Sequence, residues 1–454
     1  MLFRLITLRP PRRIRVLGGL CLLTAVSLLA ADRSFTPYPT VQSLTLPPEL
    51  RNLDESRWLA WARRHDKSIR DRLRQGDLDS MVNLLLFGTS FTSQPRIHIE
   101  TLTEASKSGV LRARVDDLVA GLRNPGSNER LLVLQHLVPD APTDAGKFIY
   151  SQLLRVLHER QTLATRAAQA DPATHPDGPA SLLDRASFFR DRGVSLDTGI
   201  IADFSIEQAL RDLKQRGLLR EGQVARFAVI GPGLDFIDKN EESAYDYYPP
   251  QTVQPFAVYD SLRRLKLTGG PAFSVSILDI SPRVLEHVQR ARARAAKNSG
   301  YVIQLPRDVA RPWPSGLIGY WNSLGDQVAA EVPPLRPPEI FPGLETRAVQ
   351  IRPDVVLACE PVDLDIIVQR LDLAPAARFD LIVATNIFVY YDAFEQSLAA
   401  ENVASMLKPG GILLSNDRLP ELAAGSLRLD GVTIVPFDAP DVSARQVVGW
   451  YGKR

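Results

Sequence analysis

From Gly222 onward the chain alternates short apolar runs with amphipathic stretches, and that alternation restricts it to one class of fold. RFAVI at 226–230 runs into Gly231-Pro232-Gly233. FSVSILDI at 273–280 is followed by Ser281-Pro282, an N-cap and a first-turn proline, and by helical spacing as far as Lys297. FDLIVA at 379–384 precedes a helical stretch at 392–407, which Pro409-Gly410-Gly411 stops before a fourth run at 412–415. Two closing strands follow, at 432–435 and 446–451. Strands separated by helices build a mostly parallel sheet covered on both faces. The reading is therefore α/β: a Rossmann-like sheet with helices on both faces over residues 222–454. Pro- and Tyr-rich stretches near 237–272 and 298–345 interrupt it as insertions.

Upstream the pattern is different. With 454 residues the chain is too long for a single core, so at least two domains are expected. Between 54 and 221 apolar residues such as Trp58, Leu59, Ile69, Leu73, Met81 and Leu84 recur at helical spacing, which predicts an all-helical domain. Further helical patterns cover 110–122, 129–138, 148–167, 181–190 and 205–219, the last with Ser205 as its N-cap. Residues 34–53 show no periodicity and read as a linker.

The first 33 residues stand apart. Arg4, Arg9, Arg12, Arg13 and Arg15 precede an uncharged run at 16–31 that ends in Ala30-Ala31, the parts of a secretory signal or a short membrane anchor. Sixteen helical residues reach about 24 Å, against a hydrocarbon core of about 30 Å. The membrane is accordingly expected as a partner through this segment, cleaved or not, and the side on which the folded part lies stays open. Arg12-Arg13 is only a weak twin-arginine signal, because Arg15 stands where that signal wants an apolar residue.

Composition removes other classes. Lysine and arginine number 54 against 52 acidic residues, a net charge of +2, so no electrostatic footprint for nucleic acid is indicated. Cys21 and Cys359 lie far apart, and the six histidines form no ligand-spaced pair, so neither a disulfide framework nor a metal site is expected.

Three pieces carry chemistry. Glycines directly after a strand, as at Gly231 and Gly233, allow a tight turn and close approach of a ligand to the backbone. Asp279 ends the next strand, where a carboxylate can accept from both hydroxyls of a ribose; an interaction with the dipole of the following helix is the alternative role. The third piece is the pairing of FDLIVATN, running into IFVYYD, with LKPGGILL at 407–414. On these residues the chain resembles the class I methyltransferases that use S-adenosyl-L-methionine, and TNIFVYYD is similar to the corresponding stretch of the chemotaxis-receptor methyltransferases. The resemblance covers about 226–454.

The resemblance implies that Gly231 and Gly233 approach the amino-acid part of S-adenosylmethionine, that Asp279 holds the ribose, and that Asn386 lines the methyl-transfer side. An acid after the third strand would meet the adenine amino group; Asp363 and Asp365 are both candidates. Two positions depart from the pattern. Val229 stands where an acid is usual, and Asp235 replaces a third glycine, offering a carboxylate that could stand in for the missing one. The chain then reads as a methyltransferase for an unidentified acceptor, with a non-catalytic module of the same fold as the alternative. A nicotinamide enzyme fits less well, because Phe236 occupies the place of its third glycine and Asp279 comes 48 residues after Gly231 rather than about 20.

Tyr245, Tyr247 and Tyr248 follow the glycine loop, and Trp313, Tyr320 and Trp321 lie in the second insertion. Each group is either an acceptor-binding surface or a packing surface.

Overall fold

The computed structural model describes residues 32–52, 54–97, 109–169, 199–234, 245–269, 273–419, 425–437 and 445–453. The N-terminal half contains β1 (Arg33–Phe35), α1 (Tyr38–Gln42), α2 (Glu55–Phe87), α3 (Gly109–Arg123), α4 (Glu129–Leu134), α5 (Pro142–Gln169) and α6 (Ile200–Gln215). Then come β2 (Arg226–Ile230), α7 (Gln254–Arg264), β3 (Ser274–Asp279), α8 (Pro282–Ala295), β4 (Tyr301–Asp308), α9 (Ser315–Ser323), β5 (Ala329–Val332) and β6 (Leu344–Ile351). The rest is α10 (Pro353–Leu357), β7 (Cys359–Asp363), β8 (Gln369–Leu371), β9 (Phe379–Ala384), α11 (Ala393–Met406), β10 (Leu407–Ser415), β11 (Leu427–Pro436) and β12 (Arg445–Lys453).

Seven strands form the main sheet in the order β11-β12-β10-β9-β2-β3-β7. Its neighbours pair in parallel except at β12, which runs antiparallel to β10 and to β11. Alternation along β2 shows why the sheet needs helices on both sides. Phe227 and Val229 enter one core with Leu210 and Leu213 of α6, Phe256 of α7 and Val288 of α8. Ala228 and Ile230 enter the other, with Ala399, Val403 and Met406 of α11. The two recurrent motif pieces meet at the opposite end of the sheet from the glycine turn. Asp380 accepts from the amides of Ala225 and Arg226 and from Nζ of Lys408, 2.6 Å away. That carboxylate joins β2, β9 and β10 at their starting ends.

Several elements differ from the sequence reading. Residues 34–53 are not a free linker: β1 pairs with β8, and Val41 and Leu50 are buried with Trp58, Ile367 and Leu398. Thr36 donates to Asn402 Oδ1, and the indole of Trp58 donates to the Thr36 carbonyl. Asn402 and β8 lie more than 300 positions from the segment they hold and Trp58 lies 22 from Thr36, so no local periodicity announces them. Helix α6 begins at Ile200 rather than at Ser205 and packs into the sheet's core. Its amphipathic face is the same; what covers that face is the sheet. The stretch near 237–272 contains α7, and 298–345 supplies β4, β5, α9 and the start of β6, with β4-β6-β5 forming a separate antiparallel sheet.

Helix α2 runs unbroken over 33 residues from its Asp54 N-cap. Its C-terminal part enters a separate apolar core, where Met81, Leu84 and Leu85 meet Leu111 and Leu118 of α3 and Ile149 and Leu153 of α5. Buried Arg114 ties this core together through donations to the carbonyls of Leu85, Gly88, Gln94 and Pro95, at 2.7–2.9 Å. The middle of α2 lies across the carboxyl ends of β3 and β7, where Arg70 pairs with Asp363 at 2.8 Å and Asp77 with Arg283 at 2.5 Å. No helix among the described residues is long and apolar enough to cross a membrane. The expected signal or anchor at 1–33, apart from Asp32 and Arg33, and the helical pattern at 181–190 lie outside the described residues.

Candidate functional site

The chain leaves β2 toward β3 and β7 on one side and returns to β9 and β10 on the other. Open α/β sheets bind ligands at such a reversal, beyond the carboxyl ends of the strands. Here a cavity of about 600 Å³ opens there, lined by Gly231, Pro232, Gly233 and Leu234 after β2 and by Thr385, Asn386 and Ile387 after β9. The glycine turn and Asn386, distant in sequence, thus share one wall.

Both glycines have positive φ, +57° at Gly231 and +73° at Gly233. Gly231 also packs against Ile387, whereas a side chain at Gly233 would meet nothing within 4 Å. The turn is braced from behind. Thr252 donates its hydroxyl to the Gly233 carbonyl and its amide to the Tyr301 hydroxyl. That hydroxyl also hydrogen-bonds His287 Nε2 at 2.8 Å, the donor depending on the imidazole tautomer. Burial, aided by Arg294 and Arg290, lowers the His287 pKa to about 4, which keeps the ring neutral. Val229, where an acid is usual, points into the apolar core. Asp235 lies outside the described residues.

Asn386 has φ +56°, a left-handed conformation that asparagine tolerates. Its amide donates to Asn416 Oδ1 and its own Oδ1 accepts from Asn416 Nδ2, each at 2.8 Å. Asp417 receives the next two amides, from Ile387 and Phe388. The end of β10 therefore holds the loop after β9 in the shape that lines the cavity.

Asp203 escaped the sequence reading. It occupies the first turn of α6, lines the cavity and is 2 % exposed. Its Oδ1 lies 3.3 Å from Gln254 Nε2, which also donates to Thr385 Oγ1 at 2.8 Å. Among the described residues Oδ2 has no partner, and neither does Gln254 Oε1. Burial without a counter-ion pushes the Asp203 pKa up to about 7, against a small lowering by Gln254. The signal that could have found it is an acid inside IIADF, an otherwise apolar helix start.

The three acids on the other side of the glycine turn stand apart from the cavity lining. Asp279 ends β3 with its Oδ1 accepting from the amide of Ser281, the residue before α8, at 2.7 Å, and burial raises its pKa to about 6. Asp363 is half-exposed and paired with both Arg33 and Arg70, at 2.7 and 2.8 Å. Asp365 is buried, accepts from the Ile367 amide through Oδ1, and has no partner at Oδ2; burial raises its pKa to about 6. Asp279 and Asp365 both raise the pKa of buried Tyr391, so the three groups neighbour one another beneath α2.

The tyrosine loop divides between the cavity and packing against neighbouring elements. Tyr245 and Tyr248 line the cavity. Asp246 between them accepts from the Thr89 and Ser90 amides and the Thr89 hydroxyl, and Arg130 donates to the Tyr248 carbonyl. Tyr247 instead hydrogen-bonds Thr346 and packs with Phe341. Trp313 also lines the cavity; Trp321 is a packing residue whose indole donates to the Leu305 carbonyl, and Tyr320 is buried beside Phe204.

No family profile matches the chain, and neither does any curated protein. Among solved structures, the N-methyltransferase NodS from Bradyrhizobium japonicum matches with a TM-score of 0.26 and 13% identity, over 55% of this chain and 94% of its own. A TehB-like SAM-dependent methyltransferase from Corynebacterium glutamicum scores 0.25 at 13% identity, over 61% and 100%. Magnesium protoporphyrin IX methyltransferase ChlM from Synechocystis, with bound SAM, scores 0.26 at 9% identity, over 56% and 79%.

Proposed function

We propose that the chain is an S-adenosylmethionine-dependent methyltransferase whose cofactor's methionine half occupies the cavity at the sheet's reversal. One observation carries the reading: the glycine turn and Asn386, picked out independently in the sequence, converge on that single cavity. The cavity also fits the charge of this cofactor. A sulfonium and an ammonium are cations, and the wall holds a buried carboxyl, Asp203, with an unpartnered oxygen.

In this reading the bound cofactor supplies an activated methyl group. The backbone of Gly231 and Gly233 positions the amino-acid end, and the loop of Thr385 and Asn386, held by Asn416, bounds the transfer side. Tyr245, Tyr248 and Trp313 offer flat apolar surface to an acceptor. Transfer requires little more than an acceptor atom held in line with the methyl group, about 3 Å away, in a site closed to water. On the nucleoside side we assign Asp279 to the ribose and Asp365, the buried candidate, to adenine. Helix α2 overlies both, so access there involves the N-terminal half as well as the sheet. Residues 54–221 are assigned to a largely helical unit and 222–454 to the cofactor-binding unit, with α6 bridging them. The N-terminal segment is assigned to a membrane signal or anchor.

The test is binding of S-adenosylhomocysteine, the demethylated product, to wild type and to Gly231→Ala. Saturable binding that the variant loses supports the assignment; equal binding by a folded variant places the cofactor elsewhere.

A further inference from the structure

We infer that Asp203 takes the proton from the methyl acceptor, and hence that the acceptor is a molecule with an apolar or aromatic body presenting an O–H or a neutral N–H group. The inference rests on the methyltransferase reading above and adds to it the chemical class of the substrate.

Three observations support it. The carboxyl lies in the cavity wall with Oδ2 unpartnered among the described residues, so the position suits a donor brought by a ligand. Gln254 bridges Asp203 to Thr385, placing the carboxyl beside the end of β9, next to Asn386. The groups facing it from neighbouring elements are uncharged. Gln254 comes from α7, Thr385 from the end of β9, and Tyr320 from α9, whose phenol burial holds well above its usual pKa. Asp308, Arg311 and Arg445 line the same cavity but do not contribute to the Asp203 shift.

Near pH 7 the carboxyl is therefore divided between its two forms, with a pKa matched to proton transfer. A cation entering the cavity favours the ionised form, so Asp203 gives up its proton as the site fills and stands ready as a base. In the step itself, the acceptor's lone pair forms the new bond to the methyl carbon. The sulfur–methyl bond breaks with its electron pair going to sulfur, and the acceptor's proton goes to Oδ2 of Asp203.

Two measurements on the full-length chain test this. Calorimetric titration with S-adenosylmethionine at pH 7, in buffers of different ionisation heat, should show about half a proton released per site by wild type and none by Asp203→Asn, as a pKa of about 7 requires. S-Adenosylhomocysteine, which lacks the sulfonium charge, should release less. Equal release by wild type and variant overturns the inference. If wild type binds neither ligand, the underlying methyltransferase reading fails instead. The second measurement uses methyl-labelled cofactor and a panel of phenols, catechols and amines. At least one should be labelled, with the initial rate about 10²-fold lower in Asp203→Asn. Undiminished labelling by the variant, or labelling confined to acceptors without a transferable proton, overturns it.

Discussion

A β-carbon built on Gly231 stands 2.2 Å from Cδ1 of Ile387, the residue after Asn386 at the end of the neighbouring strand. The two loops that bound the cavity are therefore in contact there, and a side chain at 231 would have to displace the end of the Ile387 side chain. Backbone and partner both oppose substitution, since φ is +57° there. Gly231→Ala should cost about 1–3 kcal/mol of stability and shift the loop after β9. Gly233→Ala, with open space around it, should cost only about 1 kcal/mol. Denaturant melts of the two variants check the order; equal costs would contradict the packing account.

Asp203 supplies a pH dependence of defined sign. An acid whose pKa rises from 3.8 to about 7 on folding binds more protons in the native state than in the unfolded state across that interval. Its contribution therefore weakens stability as pH climbs from 4 to 7 and is constant above, by roughly 4 kcal/mol at most. Asp203→Asn should raise the melting temperature at pH 8 and leave it nearly unchanged at pH 4. A gain that is the same at both pH values would mean the carboxyl is not desolvated.

The strands that build the site were legible because each is a continuous apolar run, as a strand buried on both faces must be. RFAVI, FSVSILDI and FDLIVA are β2, β3 and β9, and the glycines after β2 announced the turn. What was not legible depends on distant partners. Thr36 is buried by Asn402 and Trp58, and β1 by β8. Asp203 reaches the cavity wall only because α6 delivers it to Gln254 and Thr385; in sequence it is one more acid in a helix. Asp363 and Asp365 could not be told apart from spacing. The structure separates them physically, one paired to Arg33 and Arg70 and one buried with an unpartnered oxygen.

Asp279 accepts from the Ser281 amide and neighbours Tyr391. As a ribose partner it would add up to two charge-assisted hydrogen bonds, each worth roughly 1.5–3 kcal/mol. Asp279→Asn keeps an oxygen for the Ser281 amide, so the fold should survive while product affinity falls about tenfold or more. Unchanged affinity in the folded variant would leave Asp279 with its contact to Ser281 alone.

Asp246 fixes the tyrosine loop by three hydrogen bonds to Thr89 and Ser90. Asp246→Ala leaves those donors unpaired and should expose the backbone around Tyr245 and Tyr248 to chymotrypsin, with wild type resistant there. Equal cleavage of both proteins would show that Arg130 and the aromatic packing hold the loop unaided.

The central claim is that the cavity between the ends of β2 and β9 holds S-adenosylmethionine, and the direct measurement is calorimetric titration of the full chain with S-adenosylhomocysteine. The account predicts one saturable site per chain with roughly micromolar affinity, abolished or strongly weakened by Gly231→Ala. No heat at millimolar ligand, or undiminished binding by the folded variant, would contradict it.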